Sequence, residues 1–409
     1  MDVNNKKYYV CITPFFPTEE KFNGPFIYDQ VKALQQNVDC EVVVVKVVSS
    51  SDNCCPYVYD GVKVYPFIEY RLPSYILNGI ANPLNSARFK NFLRAKINID
   101  EIAVVHCHTA SCAYLGNAVK KMNRNSFSIC QYHDLEPFDI LNGKFAANKF
   151  NLLFKVKKII HELNKIDLHV CVSNRSLENL MSFPVPHPRD AYMPYIKQLN
   201  LIKGLPKRFK PKSTYVLYNG VDLTKFYKVN ELKSDSLFRI GCIGNYVDWK
   251  RHEVLISALK ILVERGHQDI RVLLVGNNPP KGFARLKNLV NFMNLNDYII
   301  FTPPCDHREL IKFYNSLDLF VLPSIFEGFG CVFTEAYACG VPFITCKNQG
   351  ISDIVIDSDK WLIDPDNALQ LADLIERFKI DRYRQILNTP IDINVLIHNF
   401  IKQIPISEK

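Results

Sequence analysis

The chain has 409 residues, 48% of them hydrophobic and 22% charged, which is enough apolar surface for two or three domains, each with its own core. Its net charge of +9 is unevenly spread: residues 1–212 carry 28 Lys and Arg against 18 Asp and Glu, whereas the rest carries 22 against 23. No window approaches the roughly 18 apolar residues of a membrane-spanning helix, and the opening strand follows no cleavable-signal pattern. The thirteen cysteines form no CxxC pair or repeating frame. Free thiols in a reducing, cytoplasmic setting are therefore expected, and a zinc site is not.

Short apolar runs alternate with amphipathic stretches along the chain, the pattern of parallel sheets wrapped by helices. In the front half the predicted strands are "YYVCITPFF", "CEVVVVKVV", "IAVVHCHT", "FSICQYHD" and "LHVCVS". Residues 182–213, rich in proline and lysine, are read as a long surface excursion, since proline suits neither a helix interior nor a central strand. A break follows within "YVLYNGVDLTKFY", where a strand ends at the Asn219-Gly220 turn signal. The back half supplies "FRIGCIG", "RVLLVG", "YIIFTP", "DLFVLPS" and "PFITC", and the last stretch, "INVLIHNFIKQI", reads as a short amphipathic helix. The expected division is thus a doubly wound domain over 1–222, a second over 223–390, and a terminal helix over 391–409 packing back on the first.

The chemistry concentrates in the back half. "DLFVLPS" predicts a strand, "FEGFG" a loop and "CVFTEAYACG" a helix closed by Gly340 and Pro342. Open parallel sheets bind ligands at the carboxyl ends of their strands, where helix N-termini offer amides to anions. Gly328 and Gly330 let the backbone bend close to a ligand there. Glu327 and Glu335 stand eight positions apart on either side; carboxylates repel phosphate but accept hydrogen bonds from hydroxyls. Either glutamate alone reads more simply as a solvated loop residue or a helix-dipole partner. Together with the glycines and the strand, they describe a nucleotide-sugar site. A second strand, loop and helix, "FRIGCIGNYVDWKRHEVLISAL", places Lys250 and Arg251 at a helix entrance, where a lysine can reach a diphosphate.

The order of "NGVD", "IGNYVDWKRHEVLISAL", "LLVGN", "YNSLDLFVLPSIFEGFGCVFTEAYACGVPFI" and "QGISDIV" resembles the retaining glycosyltransferases of family 4, whose fold is GT-B: two Rossmann-like α/β domains. The resemblance spans nearly the whole chain and is strongest over residues 215–356. Its most specific element is the E-x7-E spacing from Glu327 to Glu335. In the front half, "TPFFPTEEKFNGPFIYDQVKAL" resembles the family's first strand, loop and helix. "VVHCHTA" and "CQYHDLEP" are similar to its histidine-bearing strand ends, and "DLHVCVSNRSLENL" to its strand ending in serine.

The resemblance implies roles. Lys250 would bind and stabilise the donor diphosphate, and Gly24 would turn a backbone amide toward it. Glu327 would hold hydroxyls of the transferred sugar, with Gly328 and the amides of Phe329, Gly330 and Cys331 alongside, and Glu335 the ribose. Asn245, Arg251 and Gly276 fall on donor-side positions, His133 beside the reacting sugar, and His108 and Ser173 toward the acceptor. It implies a hexosyl-type transfer from a nucleoside diphosphate sugar, UDP or GDP type, with retention. The acceptor would be a glycan or lipid-linked glycan, as in polysaccharide or other glycoconjugate biosynthesis, with no cofactor and no metal. The chain departs from the family at Asn245, usually arginine; at Arg251, usually glycine; and at Asp353, more often glutamate. "GNNPPKG" also lacks the common second glycine.

Two further features bear on partners. His106 and His108 are expected on opposite strand faces and so unable to chelate one ion. The stretch 144–165 sets Lys144, Lys149, Lys155, Lys157, Lys158 and Lys165 among apolar residues, and 197–212 adds Lys197, Lys203, Lys207, Arg208, Lys210 and Lys212. An ordinary solvated helix explains the first; contact with an anionic membrane face, at about 1 kcal/mol per basic residue, is the sharper alternative and would make the protein peripheral at the inner membrane. No nucleic-acid module accompanies the charge. The rival functions are a GT-B epimerase or phosphorylase and a catalytically silent GT-B partner subunit.

Overall fold

Near-continuous apolar runs such as Val42–Val45 have side chains buried on both faces, as strands covered by helices on each side require. The computed structural model describes residues 7–49, 54–73, 76–142, 148–190, 194–199, 202–205, 209–229, 236–276, 279–303 and 309–406. Of the basic residues named above, Lys144, Lys207, Arg208 and the side chain of Lys197 lie outside that description. The chain divides into two units, residues 1–218 with 393–409, and residues 219–392.

In the first unit the elements run β1 (Tyr8–Thr13), α1 (Pro25–Asn37), β2 (Glu41–Val48), β3 (Tyr57–Tyr59), β4 (Val62–Ile68) and α2 (Asn82–Arg94). They continue with β5 (Ile102–Cys107), α3 (Ala113–Met122), β6 (Phe127–Tyr132), α4 (Lys149–Leu163), β7 (Leu168–Cys171), α5 (Asn174–Ser182), α6 (Pro194–Leu199) and β8 (Thr214–Val216). The sheet order is β3-β4-β2-β1-β5-β6-β7-β8, parallel except for the β3–β4 hairpin. Asp60 and Gly61 at its turn both have positive φ, 45° and 75°, as the tight hairpin turn that matches strand twist demands.

The second unit runs β9 (Phe238–Ile243), α7 (His252–Glu264), β10 (Ile270–Val275), α8 (Pro280–Phe292), β11 (Ile299–Thr302) and α9 (Leu310–Asn315). It ends with β12 (Leu319–Leu322), α10 (Cys331–Ala338), β13 (Phe343–Cys346), α11 (Ser358–Trp361), β14 (Leu362–Ile363) and α12 (Ala368–Asp381). Its sheet, β11-β10-β9-β12-β13-β14, is parallel throughout. The first strand of the unit lies in the middle, so the winding reverses between β9 and β12, the dinucleotide-fold order in which ligands bind at that reversal.

The last helix, α13 (Ile393–Ile401), belongs to the first unit. Its Ile393, Leu396, Ile397, Phe400 and Ile401 share a core with Ile27, Val31 and Leu34 of α1. Each such side chain, fully buried, contributes about 1.5–3 kcal/mol at most.

Two expectations are corrected here. The excursion 182–213 is not purely a surface segment: Phe183 and Phe209 are buried and joined by a backbone hydrogen bond of 2.8 Å. Asp190 makes a buried ion pair with Arg175 at 2.7 Å, and α6 adds a short helix. The apolar content of the segment thus outweighs its prolines. Lys155, placed with the surface lysines, is instead 1% exposed and donates to the Asn142 carbonyl at 3.1 Å. It falls on the sheet-facing side of α4 with Leu152, Val156 and Ile159, and burial lowers its pKa to about 8.

Candidate active site

The two loops that the sequence singled out start from β9 and β12, the strands flanking the reversal in the second unit. Ile325 N–H donates to the Trp249 carbonyl at 2.9 Å, tying one loop to the other. Across that tie Lys250 Nζ lies 2.6 Å from Glu327 Oε1. The lysine closes a single helical turn, Asp248–Lys250, and its stem crosses Gly244, where a Cβ would stand 3.6 Å from the lysine Cδ. Both side chains are largely sheltered, 19% and 11% exposed, so the pair is screened less than a surface ion pair.

Gly330 caps α10 in the left-handed region, φ 93°, and supplies no side-chain cap. Helix α7 likewise starts without one, behind Arg251. Both helices therefore point uncapped N-termini out of the sheet's carboxyl edge, a setting that favours anions. Glu335, one turn into α10, is buried and accepts a hydrogen bond from Tyr314 Oη at 2.7 Å. Burial pushes the Tyr314 phenol well above its usual pKa, so it remains the donor. Gly350, after β13, closes the floor: its N–H donates to the Glu327 carbonyl at 3.2 Å, and a Cβ there would come 2.0 Å from the Gly328 oxygen.

In the first unit the reversal lies between β1 and β5. Gly24 caps α1 at φ 72°, and a Cβ on it would press to 2.9 Å from Phe15 Cβ, so both conformation and space call for glycine. His108 and His133 are joined through Nδ1 and Nε2 at 3.2 Å, and the His133 ring lies 4.9 Å from that of Phe26. His106 and His108 stack at 4.2 Å. They do not point to opposite faces: residues two apart on a strand share a face, so the expectation for this pair is overturned by the strand period itself. Tyr9 Oη bonds His106 Nδ1 at 2.8 Å. Burial lowers the pKa of His106 and of His133 from 6.5 to about 3, which keeps both rings neutral. Ser173, buried, caps α5 by accepting from the Ser176 amide at 3.1 Å.

Residues 224–389 match the family description "Glycosyl transferases group 1" and residues 25–190 match "Glycosyltransferase Family 4". The chain belongs to glycosyltransferase family 4. Among sequence relatives, a D-inositol 3-phosphate glycosyltransferase of an Arthrobacter strain is 30% identical over 38% of this chain and 39% of its own length. An N-acetyl-alpha-D-glucosaminyl L-malate synthase of Bacillus anthracis is 26% identical over 70% of this chain and 73% of its own length. The matched part of the chain spans about two-fifths of the length of the first relatives it matches. Among solved structures, Alr3699/HepE of Anabaena, in complex with UDP and glucose, aligns at TM-score 0.61 and 16% identity over 96% of this chain and 94% of that one. The fold is GT-B.

The structure bears on the departure from the family at Arg251. Arg251 stands where the family favours glycine because the position is left-handed, φ 51°, which costs a non-glycine residue about 1–2 kcal/mol. Its guanidinium makes ion pairs with Asp366 at 2.9 Å and Glu253 at 3.5 Å, so it is committed to carboxylates within the unit. Asn245 is exposed. Gly276, expected to face the donor, is packed against protein: a Cβ there would meet the Tyr246 ring at 2.7 Å. Of the donor-side residues, Lys250 and Glu327 are brought into direct contact.

Sequence reasoning missed Tyr314, Gly350 and Glu136. Glu136 is buried and accepts from the amides of Ala110 at 2.8 Å and His133 at 3.0 Å, joining the β5 and β6 loops. "QGISDIV" and "HDLEP" were visible, but only the folded loops show which atoms meet. Tyr314 carried no signal, because its partner lies across the helix packing.

Proposed function

We propose that the chain is a retaining glycosyltransferase that moves a sugar from a nucleoside diphosphate sugar, UDP or GDP type, to a glycan or lipid-linked acceptor in polysaccharide or glycoconjugate biosynthesis. The observation that carries this reading is the Lys250–Glu327 contact at the reversal between β9 and β12, beside two uncapped helix N-termini. Support comes from structural neighbours solved in complex with UDP and glucose or with UDP-2-fluoro glucose.

In this reading Lys250 holds the diphosphate and Glu327 the hydroxyls of the transferred sugar. Glu335, fixed by Tyr314, takes the ribose. The bond between anomeric carbon and phosphate oxygen breaks, and the acceptor oxygen adds on the same face. The departing phosphate oxygen takes the acceptor's proton. Charge that builds on the diphosphate is stabilised by Lys250 and the helix amides, so no metal is required.

The test is a thermal-shift screen of UDP-, GDP- and ADP-sugars, repeated for the best donor with Lys250→Ala and Glu335→Ala. One donor should raise the melting temperature, and both substitutions should remove the shift. Indifference to every donor would overturn the reading. Hydrolysis of the donor without acceptor separates an active enzyme from a silent subunit.

A further inference from the structure

Lys155 is buried and takes no part in a basic surface. Among the described residues, one group of cations gathers around the end of α3. A recess of about 220 Å³ there is lined by Lys120, Lys121, Arg124, Lys165 and Asn117. Lys212 stands beside it, 3.6 Å from Asp167. The recess opens at the end of the sheet where β6 and β7 begin. His108, His133 and Ser173 follow strand carboxyl ends, so the recess is distinct from the candidate active site.

Lysines in the last turn of a helix answer its dipole, about half a negative charge for each of α3 and α4, and Lys120 and Lys165 are paired with Asp167 and Glu162. Together the two carboxylates and two helix ends supply about three negative charges. Five cations surround the recess, so positive charge remains, and it is held by Lys121 and Arg124. Both are exposed, and neither has an ion pair among the described residues. Asn117, on the wall of the recess, donates through Nδ2 to Glu162 Oε2 at 2.8 Å and to its carbonyl at 2.9 Å, while its buried Oδ1 has no partner among the described residues. Such an atom is costly unless a donor reaches it.

We propose that this recess binds a phosphate-bearing ligand, with the phosphate on Lys121 and Arg124. A guanidinium and an ammonium flanking one phosphate form charge-assisted hydrogen bonds, the strong kind. Among the described residues no apolar side chain lines the recess, so a lipid would enter by its headgroup alone. Headgroup and soluble phosphate share this chemistry, and the experiment separates them.

The experiment uses the full chain carrying Lys250→Ala, so that anion binding at the donor position is weakened and failure of the glycosyltransferase reading leaves the result intact. Isothermal titration with inorganic pyrophosphate should show binding. Adding Lys121→Glu and Arg124→Glu should weaken it by at least about tenfold. The milder pair Lys121→Gln and Arg124→Gln should act in the same direction, and an unchanged melting temperature shows that the fold persists. In parallel, the protein is sedimented with phosphatidylcholine vesicles with and without phosphatidic acid. Sedimentation only with phosphatidic acid, lost in the Lys121→Glu and Arg124→Glu protein, assigns the lipid source; pyrophosphate binding without sedimentation assigns the soluble one. Absence of both, or binding that ignores the substitutions, overturns the proposal.

Discussion

The two sheets reverse their winding in the same way, yet the two reversals carry different chemistry. Between β9 and β12 an ammonium and a carboxylate meet at 2.6 Å beside uncapped helix ends. Between β1 and β5, and on the neighbouring β6, the side chains in contact are imidazole rings held neutral by burial. A buried carboxylate there, Glu136, bonds backbone amides. One topology thus delivers loops to one edge in both units, and the residues at the strand ends decide whether that edge handles charge or shape.

The largest expected effect tests the charged reversal. Lys250→Ala should lower kcat/KM by about 10²–10³, the scale on which a preorganised donor to developing charge acts, measured as release of nucleoside diphosphate. His133→Ala should cost clearly less, because a neutral ring has no charge to lose; an equal loss would erase the contrast between the reversals.

Next comes acid. His106 and His133 have native pKa values near 3 against 6.5 in the unfolded chain, and unfolding lets them take up protons that the native state refuses. Their stabilising contribution is complete above about pH 6.5 and shrinks as pH falls toward 3. Denaturant midpoints should therefore fall between about pH 7 and about pH 5, and His106→Gln should reduce that fall.

Packing at the charged reversal is checked by Gly350→Ala. The added Cβ meets the Gly328 oxygen, and overpacking of this kind costs about 1–3 kcal/mol, visible as a lower melting temperature together with weaker donor binding. Tyr314→Phe should cost about 1 kcal/mol of stability and raise the donor KM, since Glu335 loses its fixed hydrogen bond. The smallest effect is expected for Arg251→Gly: relief of the left-handed residue offsets loss of the Asp366 and Glu253 ion pairs, leaving stability within about 1 kcal/mol.

How far the sequence could be read depended on the range of the interactions. All ten quoted strands are present, because apolar period and length are local signals. The β3–β4 hairpin was overlooked although "YVYDGVKVY" holds both an alternating pattern and an Asp-Gly turn. At the site, Glu327, Glu335 and Lys250 were legible because residue type and loop position state their chemistry. Tyr314, Glu136 and Gly350 were not, since their importance lies in contacts with residues 21 positions away, across two loops, or with bare backbone. The lysines failed differently: charge along the sequence cannot show that Lys155 turns inward while Lys121 and Arg124 join Lys165 from another helix.

The union of α13 with α1 bears on how the molecule is made. Synthesis runs from residue 1 onward, yet the core around Ile27, Val31 and Leu34 lacks one wall until Ile393–Ile401 has been added. The 219–392 unit has all its strands by then. During translation the half that begins first is therefore the half that finishes last. A chain cut after residue 392 would contain every strand of the second unit and yet leave an open apolar groove on α1, the surface on which a chaperone would be expected to wait.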